Sequence, residues 1–429
     1  MTEQISKIPW LIFIFLSILF FFIEGHELTF SLHVNQDIST DDLITMASGE
    51  GSPLRRISLA LLAISSSLIF LLKGLQKIEI SGILGWSMLL FILWCLTSIA
   101  WSTDAPLTLR RLIVLLAISV SGFFLSQQYP VKNLVFFVLV SCGLYLITGI
   151  SCEIYMGTFT PFAADYRFSG THNANMQGAN CALLLIAAAS FFFTRSNNRY
   201  YYILIMVFAL LALFLTKSRT SFYCSILAVL IIYIVSSPLN LKKLISLFAF
   251  FAILLGFVVI ITNSSSISMS DTFTALNLGR GTENVETYTG RTFIWKMCLN
   301  YIAERPYCGY GFNCFWNATH IYELISTLNW PVNSAHSLYL NLMLSVGLVG
   351  AIIFVVFLVW GIRNTFVLFM RTGESGYLFL FSLFVFFTIH GIFEGYLIEL
   401  GYIPFVFFWG LCYCGFRRKS AVEQTPKMN

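Results

Sequence analysis

The chain has 429 residues, of which 58% are hydrophobic and only 10% charged, with mean hydropathy +0.81. A soluble domain carries about 25% charged residues, so the composition excludes a water-soluble globular fold and makes lipid the solvent of a polytopic membrane protein. The net charge of +5 comes from scattered basic residues rather than a tract, which argues against nucleic acid as a partner.

Apolar runs able to cross about 30 Å of hydrocarbon as helices, flanks included, recur about twelve times. They lie near 8–23, 57–72, 80–100, 112–126, 134–156, 176–194, 200–216, 220–235, 244–262, 337–360, 377–393 and 399–415. No small-residue cleavage site precedes Glu24, so the first run reads as a retained helix and not a signal peptide. The expected fold is therefore an all-α polytopic membrane protein of about 12 transmembrane helices. Its divisions are 1–263 for the first nine spans and their short outer loops, 264–336 for one large polar loop, and 337–429 for the remaining helices and a tail. No internal repeat is visible, which weakens an inverted-repeat transporter reading.

The ten cysteines show no metal-ligand spacing, and most sit in or beside apolar runs as small hydrophobes. Cys298, Cys308 and Cys314 fall in the long loop, where an odd number argues against a disulfide framework; a Cys308–Cys314 bridge is not expected.

Basic residues orient the spans. A cytoplasmic N-terminus puts slightly more than half of the 25 Lys and Arg inside, most clearly the tail Arg417-Arg418-Lys419. Both termini are then cytoplasmic and the 264–336 loop lies outside. The bias is modest because Arg110, Arg111, Lys217 and Arg219 sit near helix ends on the outer side. Headgroup anchoring explains any one of them, but a cluster of cations at one face suits a phosphate-bearing lipid.

The outer connections carry the remaining chemistry, in chain order. Trp101-Ser102-Thr103-Asp104 leads into Arg110-Arg111. The short polar stretch from Asp165 to Asn175, with Arg167, offers hydrogen bonds to sugar hydroxyls; an ordinary turn is the alternative. Lys217-Ser218-Arg219-Thr220 joins two apolar runs with almost no loop, which holds Arg219 at the headgroups. Inserting an Arg into a helix costs about 2.5–3.5 kcal/mol, which a partner anion offsets; a snorkelling helix-end residue is the alternative. In the long loop, Thr289-Gly290-Arg291 opens an amphipathic helix that Pro306 ends, which puts Arg291 in the first turn as part of an anion site. The Gly309-Tyr310-Gly311 stretch reads as a tight turn, a lone Gly-x-Gly being weak evidence for a phosphate loop. Asn333 or Ser334 then caps the next helix, with His336 in its first turn on a face with Leu340 and Met343, able to accept a proton at neutral pH. His390 and Glu394 stand one helical turn apart on the eleventh span, either neutralising each other or lining a site. No Asp-x-Asp, His-Glu-x-x-His or Walker loop supports a nucleotide-sugar or metal mechanism.

Taken in order, Lys217-Ser218-Arg219-Thr220, Thr289-Gly290-Arg291-Thr292…Trp295…Arg305-Pro306…Gly309-Tyr310-Gly311, and His336-Ser337-Leu338-Tyr339…Gly347-Leu348-Val349-Gly350 resemble the O-antigen ligase and polysaccharide polymerase superfamily of bacterial envelopes. The Trp101…Arg111 and Gly170…Asn175 segments also look like that family, so the resemblance covers about 100–355. It implies a GT-C-type glycosyltransferase of the inner membrane with short helices in its large periplasmic loop. Such an enzyme takes a glycan from undecaprenyl diphosphate and passes it to lipid A–core or to another lipid-linked repeat, in lipopolysaccharide or exopolysaccharide biosynthesis. No cofactor, nucleotide sugar or metal is implied. Arg219 and Arg291 match the family's diphosphate-binding arginines and His336 its essential histidine; Lys217, Arg110, Arg111, Arg167, Asn175, His390 and Glu394 are the accompanying candidates for substrate binding. Ser337 and Ser345 depart from the family pattern, which has Asn and an acidic residue at these places. The competing reading is a transporter or flippase of lipid-linked oligosaccharide, which shares the substrate but needs charge along a central path that these spans lack. A structural scaffold would leave the loop cations without a purpose.

Overall fold

A computed structural model of the chain describes residues 9–33, 52–72, 78–163, 165–194, 199–236, 285–328 and 332–418. The ninth expected span (244–262), residues 264–284 of the long loop and the tail beyond 418 lie outside the described residues. Besides a four-residue helix at Phe30–His33, the helices are α1 (Pro9–Glu24), α2 (Pro53–Leu72), α3 (Gly82–Thr97), α4 (Ala105–Gln128), α5 (Val131–Tyr155), α6 (Ala174–Phe193), α7 (Arg199–Leu215), α8 (Arg219–Val235), α9 (Val285–Glu304), α10 (Ala318–Leu328), α11 (Leu338–Thr372), α12 (Ser375–His390) and α13 (Tyr402–Gly415). Among the described residues, six helices are long and apolar enough to cross a membrane: α2, α3 with its 3₁₀ extension to Trp101, α4, α5, α6 and α11. Helices α1, α7, α8, α12 and α13 are apolar but shorter.

Two departures from the expected pattern concern boundaries. Helix α4 begins at Ala105, well before the apolar run at 112, because Asp104 caps it by accepting a hydrogen bond from the Leu107 amide at 3.0 Å. Arg110 and Arg111 are therefore on a helix rather than in a connection, and Arg55 and Arg56 likewise stand in the opening turns of α2. The fold is also not purely helical. Strands β1 (Ile78–Ile80) and β2 (Phe416–Arg418) pair antiparallel, with Glu79 opposite Arg417. The ends of α3 and α13 meet there, closely enough that a Cβ on Gly85 would lie 2.4 Å from the Gly415 carbonyl oxygen.

Helix α6 is the centre of the bundle, packed by α5, α7, α8 and α12. It is buried almost throughout, and Ala179, Ala182, Ala187, Ala188 and Ala189 let its neighbours approach closely. The outward faces of other helices carry exposed aliphatic side chains such as Ile64, Leu93 and Leu204, the surface expected against lipid.

Helix α11 is interrupted where the long loop docks. Gly347 has φ 68° and ψ −175°, a conformation that breaks the hydrogen-bond ladder inside an apolar run. The loop after α9 satisfies the freed groups. Tyr310 and Gly311 amides donate to the Leu344 and Ser345 carbonyls (2.9 and 3.0 Å), while the Leu348 amide donates to the Pro306 carbonyl at 2.8 Å. The Trp94 indole donates to the Val346 carbonyl at 2.9 Å. A Cβ at position 347 would lie 2.1 Å from the Tyr307 carbonyl oxygen, so only glycine admits this contact. Irregular backbone at membrane depth is tolerated where protein covers it, and here the tight turn read at Gly309–Gly311 is the cover.

The described part of the long loop has its own small core, with Ile294, Cys298, Tyr310, Phe315 and Leu324 packed against Val332, Ala335 and Leu344. All ten cysteines are free, Cys308 and Cys314 included.

Candidate functional site

The loop, the opening turns of α2 and α4, and the connection between α12 and α13 enclose a cavity of about 1190 Å³. Its wall includes Arg55, Arg56, Arg110, Arg111, Arg167, Asn175, His336, Glu24, Glu394 and Glu399. A cavity this size exceeds a typical small-molecule pocket of about 300–1,000 Å³.

Glu394 organises one side of it. Its side chain is 3% exposed. Arg291 Nη2 donates to Glu394 Oε1 at 3.0 Å, Asn175 Nδ2 donates to the same oxygen at 3.3 Å, and His336 Nδ1 lies 3.9 Å from Oε2. The last distance is too long for a hydrogen bond. Burial pushes the carboxyl up, but His336, Arg291 and His390 outweigh it and hold Glu394 below its ordinary value. Three segments far apart in sequence thus meet on one carboxylate.

Hydrogen bonds fix each partner. Arg167 donates from Nε to the Thr216 carbonyl at 2.9 Å and from Nη2 to Asn175 Oδ1. Asn173 caps α6 by accepting from the Met176 amide at 2.9 Å, which places Asn175 in the first turn. The 166–170 turn hangs on Glu153, a buried carboxylate that accepts from the Tyr166 hydroxyl and from the Ser169 and Gly170 amides (3.1 and 2.7 Å). On the loop side, the Trp295 indole donates to the Ala335 carbonyl at 2.9 Å, and Asn341 Oδ1 accepts from the Ala335 amide at 3.3 Å.

Several sequence expectations are corrected. His336 is not in a first helical turn: α11 starts at Leu338 after Ser337, and His336 precedes it with φ 48°. Neither Asn333 nor Ser334 is the cap, and no helix face joins His336 to Leu340 and Met343. A left-handed non-glycine residue stores about 1–3 kcal/mol of strain, and here it turns a 41%-exposed imidazole toward Glu394. Arg291 lies in the second turn of α9, which begins at Val285, so its role does not depend on the helix N-terminus. His390 and Glu394 do not share a helix, because α12 ends at His390; the Glu394 amide donates to the His390 carbonyl at 3.0 Å. The His390 Nε2 atom instead meets Ser221 Oγ at 3.1 Å, and its ring stacks on Phe386.

The other candidates divide between the cavity and the turn beside it. Arg110, Arg111, Arg167 and Asn175 reach the cavity wall. Arg111 Nη1 donates to the Asn313 carbonyl at 2.7 Å, and Ser345 Oγ accepts from the Asn313 amide at 2.6 Å. Lys217 (φ 51°) and Arg219 belong to the α7–α8 turn and are not on that wall. The turn is tied to it through Thr216, whose carbonyl accepts from Arg167.

The sequence reading missed Glu24, Arg55, Arg56, Glu153 and Glu399. Glu24 Oε1 accepts from the Tyr402 amide at 2.9 Å, and Glu24 Oε2 lies 3.3 Å from His26 Nε2. Glu399 is exposed to the cavity but surrounded by its walls; burial, with the charges of Glu394 and Glu24, raises its carboxyl to about 7. Among the described residues no three His, Cys, Asp or Glu side chains gather as a metal-binding set.

Residues 204–355 match the family model for O-antigen ligase. The match supports the O-antigen ligase and polymerase superfamily. The matched segment runs from within α7 to within α11 and contains Arg219, Arg291 and His336; α2, α4 and Glu394 lie outside it. It supports ligase- or polymerase-type function in glycan biosynthesis within a multi-pass membrane protein. No curated protein matches the chain.

Proposed function

We propose that the chain is a GT-C-type glycosyltransferase of the bacterial inner membrane, moving a glycan from undecaprenyl diphosphate to an acceptor sugar at the periplasmic face. Both termini would be cytoplasmic, and the acceptor lipid A–core or a lipid-linked repeat. The observation that carries this reading is Glu394 joining Arg291 and His336 on the wall of a large, arginine-lined cavity.

In the reaction, an acceptor hydroxyl oxygen attacks the anomeric carbon of the donor sugar. The bond from that carbon to the diphosphate oxygen breaks, and its electron pair leaves with the diphosphate. Arg291 stabilises the charge that develops there, a task in which one positioned donor contributes about 10²–10³ in rate. His336 accepts the hydroxyl proton. Glu394 holds Arg291 and the imidazole in place, as the third group of a triad orients its base. The guanidinium group supplies the charge stabilisation, so the reading needs no metal.

The test is transfer by the purified full-length protein in nanodiscs, supplied with undecaprenyl-diphosphate-linked glycan and acceptor. Transfer should proceed with EDTA present and fall about 10²-fold or more in Arg291→Ala and His336→Ala. Near-wild-type transfer in both variants removes the mechanism. Lipid movement in sealed vesicles without any transfer would make the protein a flippase.

A further inference from the structure

Arg291 answers the departing diphosphate and His336 the hydroxyl proton, but neither holds the sugar ring that carries that hydroxyl. On the loop side of the cavity the wall includes Trp316, a half-buried indole. Its polar edge is already committed, because Nε1 donates to Asn341 Oδ1 at 3.0 Å. Asn341 is buried and reaches further. Its Oδ1 also accepts from the Ala335 amide, and its Nδ2 donates to Ser334 Oγ at 3.3 Å. That hydroxyl oxygen in turn accepts from the His336 amide at 3.2 Å. A Cβ on Gly395 would lie 2.6 Å from Asn341 Nδ2, so the residue after Glu394 packs on the same side chain. One amide group therefore fixes the indole, the backbone that presents His336, and the segment that carries Glu394.

With its N–H taken, the indole offers the cavity only its ring. Phe315 packs edge-to-face against it, centroids 5.2 Å apart and planes at 89°. An aromatic face is apolar and carries the negative part of the ring quadrupole. Its complement is a flat set of C–H groups with polar atoms only at the rim. A pyranose has that form, with C–H bonds on its faces and hydroxyls around its edge. Asn333 and Asn313 stand on the same wall, where amide groups can meet such hydroxyls; Asn313 is braced by donating from Nδ2 to the Ile398 carbonyl at 2.7 Å. A hydrocarbon chain laid on the indole would cover these amides without pairing them, which is costly.

We infer that Trp316 is the platform on which the acceptor's sugar ring stacks, bringing its hydroxyl to His336. The inference rests on the transferase reading above and concerns the acceptor ring alone, since the donor's diphosphate belongs to Arg291 on the other side of Glu394.

The experiment is steady-state transfer by the full-length protein in nanodiscs, with undecaprenyl-diphosphate-linked glycan as donor. The acceptor is lipid A–core or a lipid-linked single repeat, whichever the wild type uses, and the two substrates are varied separately. Trp316→Leu should raise the acceptor KM about tenfold or more and leave the donor KM unchanged. Trp316→Phe keeps a ring but loses the N–H, and its acceptor KM should stay within about threefold of wild type. Equal impairment in both variants would mean that the indole serves only to anchor Asn341, and it overturns the platform. A wild-type acceptor KM in Trp316→Leu, or a matching rise in the donor KM, overturns it too; all three results leave the transferase reading standing. Fluorine NMR of wild type labelled with fluorotryptophan gives a check that does not need the Leu variant to accumulate. The resonance missing from Trp316→Phe should shift when acceptor is added and not when donor is added, and an unmoved resonance contradicts the platform. A wild type that transfers nothing to either acceptor overturns both readings.

Discussion

Glu153 and Glu394 are both buried at the cavity end of the bundle, and they are satisfied in opposite ways. Neutral donors surround Glu153: one tyrosine hydroxyl, two backbone amides and the Ser169 hydroxyl. Its job ends with fixing the 166–170 turn. Glu394 is held by a guanidinium, an amide and a distant imidazole, and it faces a cavity. A carboxylate closed off by neutral donors is scaffold. One balanced by a cation and an imidazole beside open space has partners it can share with a ligand.

Substitution separates the two most sharply. Glu394→Ala should cut glycan transfer about 10²–10³-fold, while the protein still accumulates in the membrane. Glu153→Ala should do the reverse, lowering stability by about 3 kcal/mol or more as buried donors lose their acceptor. Thermal unfolding of the purified proteins, set beside transfer per folded molecule, checks both; equal activity losses per folded molecule would erase the distinction.

The next effect is one of pH. Glu394 is held below its ordinary value, so the stabilisation from its ionised form is complete above the free carboxyl value of 4.5 and is lost as pH falls through its lower value in the folded state. Acid unfolding of wild type and Glu394→Gln should therefore converge at low pH; a constant gap down to the acid limit would mean the carboxylate is not paired as described. Glu399 has the opposite sign. Its carboxyl is raised to about 7, so it favours the folded state least once ionised, above that pH. Glu399→Gln should remove a titration near 7 from the pH dependence of transfer, and an unchanged profile would detach Glu399 from the cavity chemistry.

The smallest effect belongs to Trp295. Its indole holds the Ala335 carbonyl beside His336, and Trp295→Phe removes a bond worth about 0.5–1.5 kcal/mol. Transfer should drop about tenfold or less, through kcat rather than KM.

How much of this was legible in the sequence depends on the range of the interaction. Apolar spans declare themselves because lipid demands long uninterrupted helices. Arg291 stood out at the start of an amphipathic helix in the polar loop, and His336 as a titratable group at the edge of an apolar run. Glu394 was singled out too, as paired with His390 or lining a site, but helical spacing gave no sign that α12 would end at His390 or that Arg291 would bond the carboxylate. Arg291 and Glu394 lie 103 positions apart, and nothing local in either segment encodes their meeting. Glu24 looked like an ordinary helix end. Glu399 was hidden in a run read as a span, because hydropathy averages over the turn that actually separates α12 from α13. Gly347 was visible within a family motif, but its break in α11 depends on a loop that begins elsewhere in the chain.

The central claim is that Arg291 and Glu394 act as one unit in transfer. A double-mutant cycle of Arg291→Ala and Glu394→Ala, read as transfer by purified protein in nanodiscs, tests it most directly. The account predicts strong non-additivity, with the double variant little slower than the worse single one. Losses that multiply independently would contradict it.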